Sequence, residues 1–177
     1  AGGFARRSEG WLVLASMTAE PRWLSDEEQA FWRLLLAAGR TLDQVVDTAL
    51  NESADLSSPE FAVLVTLSEA EDRRLRLREV CAELGWDRSR TSHQITRMER
   101  RGLVSKEKSP GDARGVMVCL TDRGMTHLEQ AAPDHVETVR RAVFDHLAPT
   151  DIPAISRFFE GILAVDANDD EDAPAAH

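Results

Sequence analysis

The stretch GWDRSRTSHQITRMERRGLV, Gly85 to Val104, packs five arginines and a histidine into twenty residues. Asp87 is a natural N-cap and Gly102 a natural stop, so the spacing predicts a helix from Asp87 to Arg101. Projected at about 100° per residue, Thr91, Ile95 and Met98 fall on one side and face a core. Ser89, His93 and Arg97 form a line on the other side, with Thr96 and Arg100 close to it. Arg88 and Arg90 flank that line near the helix N-terminus, and Gln94 lies nearer the packed side. Polar donors gathered at a helix N-terminus suit DNA, whose major-groove base edges and phosphates both accept hydrogen bonds. The plainer alternative is a solvated face, in which Arg97, Arg100 and Arg101 pair with Glu99 and neighbouring acids.

The charge around this stretch sharpens the contrast. The 177-residue chain has a formal net charge of −10, yet Arg73 to Arg114 contains 12 Lys and Arg against 6 Asp and Glu. The remainder holds 9 basic and 25 acidic residues. An acidic protein with one basic lobe points to a polyanion partner for that lobe.

Working outward, Leu84-Gly-Trp-Asp87 fits the tight turn of a helix-turn-helix, preceded by a helix over 78–84. Leu75-Arg-Leu77 is a candidate short strand after a charged loop, Ala70 to Arg74. Ser57-Ser-Pro-Glu60 is a capping box that starts a helix reaching residue 70, with Phe61, Val63, Leu64 and Leu67 facing a core. Ser25-Asp-Glu-Glu28 is another, starting a helix over 25–50. After the basic helix, Leu103 to Lys108 alternates as a strand does, Ser109 to Asp112 is turn chemistry, and 115–120 forms a second strand. These make a hairpin whose tip, KSPGDARG, is basic and within reach of an adjacent minor groove. In an extended segment Asp112 and Arg114 point the same way, so the carboxylate can hold the guanidinium. Thr121 then caps a long helix through Leu128, Val139 and Leu147, which Pro133 is expected to kink or interrupt. Thr150 opens a last helix with a wide apolar stripe, including Ile155, Phe158, Phe159 and Ile162.

The ends read differently. Residues 1–23 form an N-terminal extension, with Met17 a candidate start and the residues before it a leader. Residues 166–177 are acidic and poor in large apolar side chains, a composition expected to be disordered. No run approaches a membrane span. Cys81 and Cys119 form neither a CxxC pair nor a Cys/His cluster, which fits a reducing cytoplasm.

DARGVMVCLTDRG, Asp112 to Gly124, resembles the wing signature D-x-R-x-x-x-V-x-L-T-x-x-G of the MarR family of winged helix-turn-helix regulators. LREVCAELGWDRSRTSHQITRMERRGLVSKE resembles that family's helix-turn-helix and first wing strand. The likeness spans residues 24–165. It implies a mainly α fold with a small β-hairpin wing (α+β). The winged helix-turn-helix would cover 56–121, and dimerisation helices 25–50 and 121–165. It also implies a homodimer, and in many members repression is relieved by a small ligand or by oxidation. Matched position by position, Ser89, Arg90 and His93 fall where members touch DNA, and Arg114 falls at the wing-tip arginine. His93 departs from the pattern, since several members carry Arg there.

The remaining side chains have quieter readings. Cys81 is expected to be buried and inert, and Cys119 partly exposed. His127, His135 and His146 are expected at a solvated face or a dimer interface rather than at a shared metal. Trp23, Phe31 and Trp32 are read as core, with a ligand pocket as the alternative, and Trp86 as the anchor of the turn between the two helices. No nucleotide loop, nucleophile elbow or HExxH motif occurs, so neither an enzyme nor a cofactor is expected. The expected function is a homodimeric, cytoplasmic, sequence-specific double-stranded DNA-binding repressor on a pseudo-palindromic operator, with a small-molecule effector as a further partner. The DNA-contacting set is Arg88, Ser89, Arg90, His93, Gln94 and Arg97 on the recognition helix, with Asp112 and Arg114 on the wing. The alternative is a winged-helix module that binds a protein partner without specific DNA binding.

Overall fold

The structure is a computed structural model that describes residues 21–109 and 115–169. The expected leader, the acidic tail beyond 169 and the wing-tip residues Asp112 and Arg114 lie outside the described residues. The chain divides into two compact units, one ending at Gly39 and one beginning at Arg40, and helix α1 (Asp26–Ala54) runs through the division. In the second unit follow α2 (Ser58–Glu69), a 3-10 turn (Glu71–Arg73), β1 (Arg74–Arg76), α3 (Leu77–Leu84) and α4 (Arg88–Arg100). Strands β2 (Val104–Lys108) and β3 (Val116–Leu120), helix α5 (Asp122–Ala142), a 3-10 turn (Phe144–His146) and helix α6 (Ile152–Asp169) complete it.

Local chemistry sets most of these boundaries. At α1 the Ser25 N–H donates to Glu28 Oε2 at 2.7 Å, and the Glu28 N–H donates to Ser25 Oγ at 3.2 Å. The backbone bond from Ser25 lowers the Glu28 pKa, because it favours the charged carboxylate. Ser57 and Glu60 make the same reciprocal box at α2, with a proline in its first turn. Gly85 ends α3 in the left-handed region, at φ +61°.

The wing is a three-stranded antiparallel sheet in the order β1-β3-β2. Leu75 faces Val118 in the β1–β3 register, and Lys106 faces Val118 in the β2–β3 register. The expected hairpin is therefore joined by the short strand before α3. The Thr-x-x-Gly close of the wing signature has a packing reason. Thr121 Oγ donates toward the carbonyls of Gly102 (2.7 Å) and Leu103 (3.0 Å) and accepts from the Gly124 N–H at 3.0 Å. A Cβ on Gly124 would stand 2.1 Å from the Leu103 carbonyl oxygen, so only glycine lets α5 start this close to the β2 strand.

The core gathers Leu50, Leu56, Val63, Leu64, Leu67, Val80, Ile95, Met98, Leu103 and Val118. It sits where α2, α3, α4 and the sheet meet, so α4 is packed on one side and open on the other.

Several expectations are corrected. α1 continues to Ala54 rather than residue 50. The α5 helix is not interrupted at Pro133, and Leu128, Ala131 and Thr138 on either side of it are buried. It ends at Ala142 instead of reaching Leu147. Trp23, Phe31 and Trp32 are not core but exposed, at 87%, 52% and 49%. Cys81, expected to be buried, is partly exposed, as is Cys119. Burial first, and the Glu107 carboxylate second, raise the Cys119 pKa.

Candidate nucleic-acid interface

Asp87 caps α4 by accepting from the Arg90 N–H at 2.8 Å, and the Thr91 hydroxyl donates to the Asp87 carbonyl at 2.9 Å. The cap fixes which way the helix faces. Thr91, Gln94, Ile95 and Met98 are buried. Arg88, Ser89, Arg90, Ser92, His93, Arg97 and Arg100 are exposed. The predicted split of the helix into a packed and an open side is thus the one observed.

Of the six expected contacts on the helix, five share the open face and one does not. Gln94 is 3% exposed, and its Oε1 accepts a hydrogen bond from Arg97 Nη2. It therefore steadies Arg97 from the packed side. Arg90 lies with its guanidinium carbon 4.3 Å from the centroid of the Trp86 ring. The Trp86 ring is packed against the core, so it serves as the expected anchor of the turn and also as a shelf for Arg90.

The arginines of this lobe separate by partner. Arg101, just past the last turn of α4, pairs with Asp55 at 2.7 Å and Glu60 at 2.9 Å. Glu99 pairs instead with Lys106 of β2 at 2.8 Å, and Lys106 Nζ also donates to the Thr96 hydroxyl at 3.2 Å. For Arg88 and Arg100 no ion pair occurs among the described residues. The pairing alternative thus holds for Arg101 alone, and Glu99 pairs with none of the arginines.

The structure adds residues that sequence reasoning missed. Arg76 and Arg78 line one cavity of about 350 Å³ together with Arg88, Leu77, Cys81 and Val116. Among the described residues no carboxylate lines it, so arginines from β1, α3 and α4 share one hollow beside the wing. The clue in the sequence was the charge of the Arg73–Arg114 lobe, but only the fold brings these three together. A second hollow along α4 is lined by Pro59, Arg90, His93, Thr96, Arg97 and Arg100. Together they give one basic surface running from the α2 start to the wing base. Among the described residues no group of three or more His, Cys, Asp or Glu is placed to hold a metal, and no helix is long and apolar enough to cross a membrane.

Comparison with known proteins agrees with this geometry. The model of the MarR family matches residues 54–115, from the end of α1 to the residue before β3. The structure resembles the MarR family regulator Sco3205 of Streptomyces coelicolor, solved in complex with DNA. That likeness has a TM-score of 0.79 and 38% identity, over 82% of this chain and 91% of that one. AbsC, another MarR family regulator of Streptomyces coelicolor, is similar with a TM-score of 0.80 and 36% identity, over 84% of this chain and 99% of that one. The uncharacterized HTH-type transcriptional regulator YkoM of Bacillus subtilis (strain 168) is 27% identical over 126 residues, 70% of this chain and 80% of the relative. The chain shares the fold of these regulators and belongs to the MarR family of winged helix-turn-helix, DNA-binding transcriptional regulators.

Proposed function

We propose that this chain is a homodimeric repressor that binds a pseudo-palindromic operator in double-stranded DNA in the cytoplasm. The observation that carries the reading is the exposure of Arg88, Ser89, Arg90, His93 and Arg97 along one side of a helix whose other side is core. His93 and Ser89 read base edges, and Arg88, Arg90 and Arg97 serve bases and phosphates. From the wing signature alone, Arg114 is assigned to the flanking minor groove and Asp112 to holding it.

Dimerisation is supported by apolar surface that a single chain leaves uncovered. Phe159, Ile162 and Leu163 on α6 are 47%, 47% and 75% exposed. A patch of this kind marks a protein interface, and a two-fold dimer presents two recognition helices to two half-sites. An effector site is supported by a cleft of about 750 Å³ lined by Leu42, Val46, Asp47, Trp86, Arg90 and Val139. An occupant of that cleft touches Trp86 and Arg90, so it competes with DNA for the same arginine.

The test is a mobility-shift titration of the full chain against its own promoter region and against random DNA, with light scattering of the free protein. Tight binding to one site by a dimer is expected. Equal affinity for both DNAs, or a monomer, overturns the proposal and favours a protein-binding winged module.

A further inference from the structure

Arg101 stands in the arginine-rich stretch, yet both terminal nitrogens of its guanidinium donate to acceptors within the protein. Nη1 donates to both carboxylate oxygens of Glu60, each at 2.9 Å. Nη2 donates to the Asp55 carbonyl at 2.6 Å and to Asp55 Oδ2 at 2.7 Å. The Glu60 side chain is only 8% exposed. It is also the capping-box partner of Ser57, the N-cap of α2, its Oε2 accepting from the Ser57 N–H at 2.9 Å. Asp55 follows directly on the last residue of α1 and is held in the left-handed region, at φ 52°. The same corner is met by α5, whose His127 Nδ1 lies 3.2 Å from the Ala54 carbonyl oxygen. One guanidinium therefore ties the end of α4 to the end of α1 and the start of α2.

We infer that Asp55, Glu60 and Arg101 form a clasp that sets the attitude of the recognition helix, and that Arg101 is a positioning residue rather than a DNA contact. The inference rests on the DNA-binding reading of α4. A planar guanidinium whose two terminal nitrogens grip two different residues fixes direction as well as distance. α4 is capped by Asp87 at one end and clasped by Arg101 at the other, so both its ends are held. Base reading depends on bidentate geometry and fails with small misalignment. Phosphate contacts tolerate misalignment and carry most of the non-specific affinity. A loosened clasp therefore costs discrimination more than it costs general affinity.

The experiment compares wild type, Glu60→Gln and Arg101→Lys. Gln keeps an acceptor for the Ser57 N–H but gives up the charge. Lys keeps the charge but cannot fork. Affinity for the selected operator and for random DNA is measured over a range of salt, with amide exchange of free α4 and the melting temperature. The clasp predicts that both variants lose about tenfold in operator-to-random preference, the scale of one impaired base contact. It also predicts an unchanged salt slope and faster exchange in the last turn of α4. If Arg101 were a phosphate ligand restrained by Glu60, Glu60→Gln would strengthen binding to both DNAs, and that result overturns the inference. So does a lowered melting temperature with preference and exchange both unchanged, which marks a purely structural pair. The exchange measurement needs no DNA. If the wild type shows no operator preference, the DNA reading falls, and exchange alone still decides whether the clasp holds α4.

Discussion

The Arg90 guanidinium sits 4.3 Å over the Trp86 ring, so the first turn of the recognition helix is braced by the turn that precedes it. Such a contact is worth about 0.5–1 kcal/mol at an exposed site. Trp86→Leu, which keeps apolar bulk, should weaken operator binding by about 2–5-fold through loss of that brace. Arg90→Ala should weaken it further, and the double variant should be no worse than Arg90→Ala alone. A double-mutant cycle on DNA affinity reads the coupling. Additive losses would mean that the two residues act independently.

Arg76, Arg78 and Arg88 converge on one cavity without a carboxylate among its lining residues. If they hold a backbone phosphate, replacing Arg78 with Gln should weaken binding to all sequences alike. It should also reduce the slope of log K against log salt by about 1 per contact removed. Titrations at several ionic strengths check this. A loss confined to the operator would assign Arg78 to base reading instead.

His93 is exposed on the open face of α4. His93→Ala should relax preference at one base position of each half-site, costing about 1–3 kcal/mol, with melting unchanged. Selection of bound sites from a random library gives the answer directly. A consensus identical to that of wild type would remove His93 from the readers.

Gly124→Ala should destabilise the fold without touching the open face of α4. The added Cβ meets a backbone oxygen, which cannot swing aside as a side chain end does. The expected cost is about 3 kcal/mol, at the upper end for overpacking. Denaturant midpoints measure it, and a shift near zero would show that the start of α5 yields easily.

His135 stacks on Phe61 with centroids 4.4 Å apart, and its buried Nδ1 has no hydrogen-bond partner. Burial lowers its pKa below 6.5. Below pH 6.5 the unfolded chain then takes up a proton that the folded chain refuses. Stability should fall as pH drops from 6.5 toward the lowered value and stay level above it. Replacing His135 with Phe should flatten that part of the profile, as followed by thermal melts from pH 7.5 to 5. An unchanged profile would assign the acid sensitivity elsewhere.

The open face of α4 was legible because its causes are local. A cap at Asp87, a stop at Gly102 and a 3.6-residue period all lie within the helix or next to it. The capping boxes at Ser25 and Ser57 were legible for the same reason. What escaped depends on partners far along the chain. The short strand expected at Leu75 to Leu77 forms at Arg74 to Arg76, and what fixes its place in the sheet, pairing with Met117 to Cys119, lies far along the chain. Arg101 could not be told from its neighbours, because Glu60 stands 41 positions away. Trp23, Phe31 and Trp32 looked like core because helical spacing shows which residues are apolar, not which are covered. Pro133 reads as a kink or an interruption because a proline removes one helix bond, and the helix is not interrupted there.

Lys106 reaches from β2 to Glu99 and to Thr96 on the recognition helix. The strand that leads to the wing tip and the helix proposed to enter the major groove are thereby tied to each other like two prongs on one handle. Each added base pair turns the duplex by about 34°, given 10–10.5 pairs per turn. Two pinned prongs cannot follow that rotation separately. An operator with one base pair inserted between its helix-read bases and its flank should thus lose one contact or the other, and the distance between them becomes part of what the protein recognises.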